Sequence, residues 1–202
     1  IGHGDSHSVI LLPGDVSECF DFGWQSFDLA ERIQTPIFVL SDLDMGMNQW
    51  MSKPFQYPEV PMDRGKVLWE KDIEELKGNW GRYLDKDGDG IPYRTIPGNK
   101  HPLSSYFTRG TGHDDHAKYT EEADAFLKNM DRLKRKNETA KKYVPAPVLH
   151  KMKGATFGII GYGSTEAAIL EAQHQLDKEH VIKTDFLRIR ALPFSKEVDA
   201  FL

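Results

Sequence analysis

The stretch from residue 8 to residue 48 reads SVILLPGDVSECFDFGWQSFDLAERIQTPIFVLSDLDMGMN. It begins with a short apolar run ended by a Pro-Gly pair, which is typical of a buried strand. Asp15, with Glu18 three residues later, predicts the start of a helix that ends near Arg32. A second apolar run follows. A strand, a helix and a strand within about 35 residues form a βαβ unit with parallel strands.

The helix of this unit carries an apolar stripe at three- and four-residue spacing, which we expect to face the core. Its members are Val16, Cys19, Phe20, Gly23, Trp24, Phe27 and Ala30. Residues 41–48 then leave the carboxyl end of a parallel strand, the edge at which open α/β sheets bind ligands. Asp42 and Asn48 are therefore candidate site residues.

The chain repeats this pattern further along. A strand is predicted at 155–160, a tight turn at 161–163, a helix at 164–178 and a strand at 185–191. Ser195 is expected to start a further helix. The predicted fold class is therefore α/β with parallel sheets.

The central part differs in character. Six prolines break any long periodicity between residues 49 and 112, and only 70–77 is predicted to be a short helix. A longer helix is predicted over 121–143, with its basic residues on a solvated face, followed by a linker at 145–154. The buried stripe of that helix is expected to comprise Ala123, Phe126, Leu127, Met130, Leu133, Asn137 and Ala140.

Length, charge and cysteine content exclude several classes of protein. The 202 residues predict one to two domains. The net charge of −5 disfavours binding to nucleic acid or to an anionic membrane surface, and no apolar run approaches the ~18 residues of a membrane span. The single cysteine, Cys19, allows neither an intramolecular disulfide nor a cysteine-ligated cluster, which fits a reducing cytoplasm.

Residues 85–90 read DKDGDG and resemble the start of a calcium loop. Carboxylates stand at positions 1, 3 and 5, and glycine stands at position 6. Position 12, which should be a glutamate, is Ile96, so an ordinary Asp/Gly turn is the favoured interpretation. A calcium-binding module is kept as an alternative.

Residues 161–165 read GYGST and lie between a predicted strand and a predicted helix. The free N–H groups of such a turn can bind a phosphate, so a nucleotide-binding α/β dehydrogenase domain is a second alternative. Glu166 follows the turn, and its charge would repel a phosphate. A tight structural turn is the favoured interpretation.

Residues 109–113 read RGTGH. The glycines allow the backbone to approach a ligand closely, Arg109 offers a bidentate clamp for a carboxylate or phosphate, and His113 adds an imidazole. An anionic small molecule could bind here, and a loop tied by its own polar side chains is the alternative. His113 and His116 could share a metal ion, but no further ligand is identifiable, so no metal site is predicted.

Three longer runs are TPIFVLSDLDMGMN at 35–48, DGIPYRTIPG at 89–98 and YFTRGTGHD at 106–114. Together they resemble the alpha subunit of 2-oxoacid:ferredoxin oxidoreductases, and most closely the 2-oxoglutarate type. LRIRALPF at 187–194 is similar to the second domain of that family. The resemblance covers essentially the whole chain in order.

This resemblance implies an enzyme that decarboxylates a 2-oxoacid on thiamine diphosphate with Mg²⁺, reduces ferredoxin through a [4Fe-4S] cluster and transfers the acyl group to coenzyme A. It implies that a beta subunit carries the pyrophosphate site and the cluster. A gamma domain or subunit is a further candidate partner. Residues 88–90, GDG, open the pyrophosphate motif, but the asparagine pair that should follow is missing.

The resemblance also divides the chain. Residues 1–48 would end a pyrimidine-binding domain, 49–144 would form a connecting excursion, and 155–202 would start a transketolase C-terminal-like domain after the linker at 145–154. On this basis we expect a fragment that is inactive alone. We also expect it to be poorly stable, because half-sheets leave open edges.

The family's principal catalytic residues would precede Ile1, so none is assigned. The residues expected to line the substrate or cofactor are Arg94, Arg109, Gly110, Thr111, Gly112, His113, Asp114, Asp42 and Asn48. The two arginines are the expected cations for the substrate carboxylate, with His113 as a hydrogen-bond partner.

Overall fold

The computed structural model describes residues 6–108 and 110–202. Arg109 therefore lies outside the described residues. The chain divides into two compact units, each treated by itself. The first, here called the helical unit, is built mainly from Asp63–Ala140 with Glu31–Gln34. The second, the sheet unit, comprises Ser8–Ala30, Thr35–Met62 and Lys141–Leu202.

The first predicted βαβ motif is present. Strand β1 is Val9–Leu11, helix α1 is Val16–Ile33, and strand β2 is Ile37–Val39. β1 and β2 pair in parallel, as predicted. A five-residue helix that the sequence did not predict, α2 at Leu43–Met47, follows β2.

The second predicted βαβ motif is present as well. Strand β4 is Phe157–Tyr162, helix α5 is Glu166–His180, and strand β5 is Thr184–Ile189. β4 and β5 pair in parallel over six residues. Ser195 is the N-terminal cap residue of the last helix, α6 at Lys196–Phe201, as the sequence predicted.

Each three-stranded sheet also contains one antiparallel strand, so the sheets are mixed rather than wholly parallel. Strand β3, Val148–His150, pairs with β5, and strand β6, Ala191–Leu192, pairs with β1. The strand orders are β2-β1-β6 and β3-β5-β4. β3 lies within the segment predicted as a linker. The fold is α/β, as predicted, and the proposed domain boundaries stay predictions.

The face of α1 that packs into the core differs from the predicted stripe. Phe22, Leu29 and Ile33 are its buried apolar residues, whereas Phe27 is 63% exposed. Phe20 stacks on Phe55 with ring centroids 4.7 Å apart. The stripe prediction is therefore only partly correct: Phe27 is exposed, and Phe20 packs on an irregular segment of the central region while other residues of α1 are the fully buried ones.

The helical unit is organised around two helices. α3 is Glu70–Glu75, and α4 is Ala123–Ala140, both inside their predicted ranges. A small apolar core lies beside α3 and consists of Leu68, Ile73 and Trp80. A single 3-10 turn, Pro102–Ser104, contributes the only other helical structure between α3 and α4 among the described residues.

The predicted buried stripe of α4 is correct at Ala140 and wrong at its N-terminal members. Arg132, Lys136 and Thr139 are buried together with Ala140, while Phe126 and Leu127 are more than half exposed. The backbone at Gly90 packs against this polar face, and its carbonyl oxygen accepts a hydrogen bond from Arg132 Nη1 at 3.2 Å. Polar side chains that have hydrogen-bond partners can therefore be buried. For this reason the face of α4 that the apolar pattern predicted to be solvated is packed inside.

Among residues 6–108 and 110–202, no helix is both long enough and apolar enough to span a bilayer.

Candidate functional site

An open cleft of about 690 Å³ lies in the helical unit, between the loop at 110–113 and helix α4. The loop contributes Gly110, Thr111, Gly112 and His113, four of the residues that the sequence singled out. The facing wall from α4 is largely apolar and includes Ala123, Phe126, Met130 and Leu133. Arg132 and Asn129 add polar groups to the lining. A concave surface with an apolar wall and a few polar groups is the usual form of a small-molecule site.

His113 is held firmly at this cleft. Its ring stacks on Tyr83, with centroids 3.7 Å apart and planes 17° apart. Its Nδ1 atom lies 3.1 Å from the carbonyl oxygen of Asp114. Asn129 Nδ2 donates to the His113 carbonyl oxygen at 2.7 Å. These contacts fix both the ring and the backbone, so His113 presents a constant surface to the cleft.

Arg132, which the sequence did not single out, is the cation of the lining among the described residues, and Glu121 and Glu122 are the carboxylates of the same lining. Arg132 is 7% exposed, and its guanidinium carbon lies 5.8 Å from the centre of the Tyr83 ring. Arg82 lies over the same ring at 5.3 Å. Burial, followed by the positive charge of Arg82, lowers the pKa of Arg132. The two guanidiniums therefore form a cationic pair with limited access to water.

Lys136, one turn beyond Arg132 on α4, is also 7% exposed. Its ammonium donates to the backbone carbonyl oxygen of Gln34 at 3.0 Å. Burial, and then the charges of Arg132 and Arg82, lower the pKa of Lys136 to about 8. The buried face of α4 therefore carries positive charges, and burial raises the free energy of keeping these groups protonated.

Lys136→Met is expected to remove a rise in stability at alkaline pH. The pKa of Lys136 is about 8 in the folded chain and near 10.5 when exposed, so between these values the unfolded chain binds the extra proton. Raising pH through this window should stabilise the folded state, by up to ~3 kcal/mol. Urea unfolding from pH 7 to 10.5 measures it. Lys134→Met, at an exposed position on the same helix, should retain the rise; an equal loss in both variants would contradict the assignment.

The other predicted site residues of the helical unit have structural partners. Asp114 lies beside the cleft but turns back on its own loop, where Oδ1 accepts hydrogen bonds from the backbone N–H of His116 and Lys118, both at 2.9 Å. Arg94 forms an ion pair with Glu31. Arg109 lies outside the described residues.

Asp42, in the sheet unit, joins two turns. Its Oδ1 accepts from Met45 N at 3.0 Å, which caps α2, and its Oδ2 accepts from Ser164 N at 2.7 Å. Burial opposes ionisation, but the hydrogen bonds from Ser164 and Met45 outweigh it and lower the pKa of Asp42. Asn48 is the C-terminal cap residue of α2 and its side chain hydrogen-bonds Asp44.

This geometry bears on the nucleotide-binding alternative. The turn after β4 has Gly163 at a φ of +64°, and a Cβ there would lie 2.5 Å from Asp42 Oδ2. The backbone N–H of Ser164 therefore already donates a hydrogen bond to the Asp42 carboxylate. The chain places its own anion where a bound phosphate would have to lie, which disfavours a dinucleotide site at residues 161–165.

A buried ion network lies elsewhere in the sheet unit. Arg188, on β5, donates from both Nη atoms to the two carboxylate oxygens of Glu18, at 2.8 and 3.0 Å. Its Nε lies 2.6 Å from Glu166 Oε2. Glu18 also contacts Arg190 and accepts from Gly14 N at 2.8 Å. Asp15 caps the start of α1 as predicted, because its Oδ1 accepts from Glu18 N at 2.8 Å. The Glu18 carboxylate does not complete this cap but contacts the partners above.

The calcium-like loop is filled by a lysine. Lys66 Nζ lies 2.7 Å from Asp87 Oδ2, 2.8 Å from Asp89 Oδ1 and 3.0 Å from the carbonyl oxygen of Ile91. Asp85 pairs with Arg135 at 3.0 Å. The ammonium group therefore stands among the carboxylates that a calcium ion would need, and this disfavours the calcium module.

Clusters of three or more metal-ligating side chains are absent from residues 6–108 and 110–202. His113 is committed to its stack on Tyr83, and no such cluster includes His113 and His116. The absence of a metal site at His113 and His116 stays a prediction.

The fold thus defines an α/β protein with two parallel βαβ motifs, and comparison with known proteins narrows the class. No protein-family model matches the chain. It is 30% identical over 199 residues to "2-oxoacid:ferredoxin oxidoreductase 2, subunit alpha" of Aeropyrum pernix, covering 96% of this chain and 29% of the relative. It is 28% identical over 206 residues to "2-oxoacid:ferredoxin oxidoreductase subunit alpha" of Saccharolobus solfataricus, covering 98% and 30%.

A solved structure agrees in fold. The "2-oxoglutarate:ferredoxin oxidoreductase from Magnetococcus marinus with 2-oxoglutarate, coenzyme A and succinyl-CoA bound" matches with a TM-score of 0.81 at 24% identity. The match covers 99% of this chain and 34% of that chain. The chain is therefore similar to oxidoreductase alpha subunits over nearly its whole length, and it spans about 30% of the length of the two curated relatives.

Proposed function

We propose that this chain is part of the alpha subunit of a 2-oxoacid:ferredoxin oxidoreductase, with 2-oxoglutarate as its substrate. The reaction is oxidative decarboxylation to an acyl-coenzyme A and CO₂ with reduction of ferredoxin. The observation that supports it most is the similarity to two named alpha subunits across 96% and 98% of the chain. The solved neighbour is a 2-oxoglutarate:ferredoxin oxidoreductase with 2-oxoglutarate bound, and this likeness supports the choice of substrate.

The residues of this chain do not fit the pyrophosphate and metal part of thiamine diphosphate. Asp89, in the Gly-Asp-Gly tripeptide, accepts hydrogen bonds from Lys66 and from the backbone N–H of Ile91. Gly90 packs against the backbone of α4. The proposal therefore assigns thiamine diphosphate with Mg²⁺, and the [4Fe-4S] cluster that one cysteine cannot ligate, to a beta subunit.

The remaining parts of the proposal concern partners and site residues. In this proposal coenzyme A is the co-substrate and ferredoxin is the electron acceptor. A gamma domain or subunit is a further partner, and the protein is located in the cytoplasm. Residues 110–113, which line the cleft, are proposed to contact substrate or cofactor, with Arg109 as the carboxylate clamp. Arg94, Asp42 and Asn48 are proposed only as supporting groups, because each already has a partner within the chain.

The test is an activity measurement on the complete alpha subunit produced together with the subunit encoded beside it. We expect ferredoxin reduction that depends on coenzyme A and thiamine diphosphate, with kcat/KM at least about tenfold higher for 2-oxoglutarate than for pyruvate or 2-oxoisovalerate. A reversed preference would overturn the 2-oxoglutarate assignment. Absence of turnover with all three acids, in an assembled complex with a full cluster content, would overturn the proposed function.

A further inference from the structure

A second cleft, of about 230 Å³, lies in the helical unit and is here called the aromatic cleft. Its lining includes Trp80, Arg82, Leu103, Ser105, Tyr106 and His116. Among the described residues, none lines both this cleft and the cleft at 110–113. Its volume is below the roughly 300–1,000 Å³ of clefts that hold drug-sized ligands, so the occupant is limited to a ring with one small substituent.

The walls of the aromatic cleft are fixed by packing and by backbone contacts. The ring of Trp80, which is 8% exposed, meets the ring of Tyr106 edge to face, with centroids 6.0 Å apart. Tyr83 N donates to the carbonyl oxygen of Asp115 at 2.9 Å, and a Cβ at Gly81 would lie 2.4 Å from that same oxygen. A ligand would therefore meet a preformed surface, which lowers the entropic cost of binding.

Arg82 supplies the positive charge of the aromatic cleft. Its guanidinium carbon lies 5.3 Å from the centre of the Tyr83 ring and 5.7 Å from that of Tyr106. Its Nε atom is buried, whereas its two Nη atoms are accessible and have neither a hydrogen-bond nor an ion-pair partner among residues 6–108 and 110–202. Two accessible donors in one plane match the two oxygens of a carboxylate.

The charges around Arg82 favour a bound anion. Burial, followed by repulsion between cations that includes the charge of Arg82, lowers the pKa of both Arg132 and Lys136. Asp115, whose backbone borders the aromatic cleft, pairs through its carboxylate with Lys128. An anion on the Nη atoms of Arg82 would therefore relieve repulsion among three cations, whereas an uncharged ligand would not.

The accessible apolar surface favours a planar ring as the rest of the ligand. Leu103 is 50% exposed and Tyr106 is 37% exposed, so both side chains offer surface that a ligand can cover. An aromatic ring beside Tyr106 can repeat the edge-to-face arrangement that Trp80 makes with it, and such ring pairs are stabilised beyond the burial of apolar area. A saturated ring of similar size would bury the area without this contribution.

We infer that the aromatic cleft binds a small aromatic monocarboxylate, with the carboxylate on the Nη atoms of Arg82 and the ring beside Tyr106 and Leu103. The inference goes beyond the proposed function and does not rest on it. Binding is measured without turnover, so the inference and the proposed oxidoreductase activity can fail separately.

The test follows the fluorine NMR signal of 4-fluorobenzoate added to the complete alpha subunit, produced together with the subunit encoded beside it. We expect broadening of the signal with a Kd on the order of millimolar, as suits a ligand of this size. Unlabelled benzoate should displace the probe. Cyclohexanecarboxylate, which lacks the planar ring, and benzamide, which lacks the charge, should be about 3-fold and 10-fold less effective. Inorganic phosphate should not displace it at the same concentrations.

Four variants complete the test. Arg82→Gln should weaken binding at least about tenfold, and Arg82→Lys, which keeps the charge but loses the planar pair of donors, should weaken it several-fold. Leu103→Ala changes an exposed side chain and should lower affinity about threefold. Lys86→Gln, at an exposed position four residues further along, should bind like the unchanged protein. Because the Nη atoms of Arg82 leave no partner behind, these variants should fold, and circular dichroism verifies it.

Three results would overturn the inference. The first is absence of broadening up to about 20 mM 4-fluorobenzoate, a range in which the expected affinity would saturate the cleft. The second is unchanged binding in Arg82→Gln, which would place the probe elsewhere on the enzyme. The third is displacement by phosphate or by 2-oxoglutarate as effective as that by benzoate and lost in Arg82→Gln, which would assign a plain anion site.

Discussion

Gly90→Ala should destabilise the helical unit by about 2–5 kcal/mol, the sum of a left-handed backbone penalty and an overpacking penalty. Gly90 has a φ of +81°, which L side chains rarely adopt. A Cβ there would overlap the backbone N of Lys136 and would lie 2.5 Å from the carbonyl oxygen of Arg132. Both atoms belong to the backbone of α4, so neither can move aside as a flexible side chain would. Urea unfolding followed by circular dichroism measures the change.

Gly88→Ala provides the matched control. Gly88 lies in the same loop at a φ of +74°, but a Cβ there would meet nothing within 4 Å. Gly88→Ala should therefore lower the free energy of unfolding only by the cost of a left-handed backbone, about 1–2 kcal/mol. The difference between the two variants isolates the packing of the loop on α4. Equal losses would show that this close approach is absent.

The substitution Gly90→Ala should also affect the lining of the cleft. Thr139 Oγ1 donates to the carbonyl oxygen of Asp89 at 2.7 Å, and Arg132 Nη1 donates to that of Gly90. These bonds hold α4 and the loop together and orient the guanidinium that lines the cleft. We therefore expect Gly90→Ala to displace Arg132 in the cleft lining as well as to lower stability.

The sequence predicted the two βαβ motifs because their information is local. The apolar runs at β1, β2 and β4, and the helices between strands, each extend over a window in which periodicity can be recognised. β3 and β6 pair antiparallel with β5 and β1, and this pairing depends on residues far along the chain. No short-range pattern could have indicated them.

The site was predictable only in part, for the same reason. The glycines at 110 and 112 and the ring of His113 singled out a loop that lines the cleft, since their chemistry is visible in one short run; its role in binding stays a prediction. Arg132 was assigned to a solvated helix face, because burial of its guanidinium depends on Gly90, 42 residues earlier. Lys66 was not connected with residues 85–90, since the pairing joins residues 21 and 23 positions apart.

The second large effect is expected for Glu18→Gln in the sheet unit. The side chain of Arg188 is 4% exposed and is held by both oxygens of the Glu18 carboxylate, with the Glu18 side chain 14% exposed. The amide cannot accept both bonds or neutralise the guanidinium, so a charge would stay buried with Glu166 as its contacting carboxylate. Removing one partner of such a pair costs about 3–5 kcal/mol. Thermal unfolding should show the loss, whereas Glu179→Gln, at an exposed helix position, should not.

The pH dependence of the same network gives an independent check. Burial of Glu18 opposes ionisation, but the hydrogen bonds from Arg188 and Gly14 outweigh it and lower the pKa of Glu18. A depressed folded pKa means that the stabilisation is complete above the usual carboxyl range and is lost as pH falls through the folded value. Glu18→Gln should therefore remove part of the acid sensitivity between about pH 5 and pH 2.

The pair's net contribution is separable from the cost of leaving one member alone. Glu18→Gln combined with Arg188→Met removes both charges, and a buried ion pair replaced by uncharged groups often costs little. The double variant should therefore regain at least about 2 kcal/mol relative to Glu18→Gln, measured in the same denaturant. If instead the two losses simply add, Glu18 and Arg188 do not act as a pair. The network would then stabilise the sheet unit through its contacts with Gly14, Arg190 and Glu166.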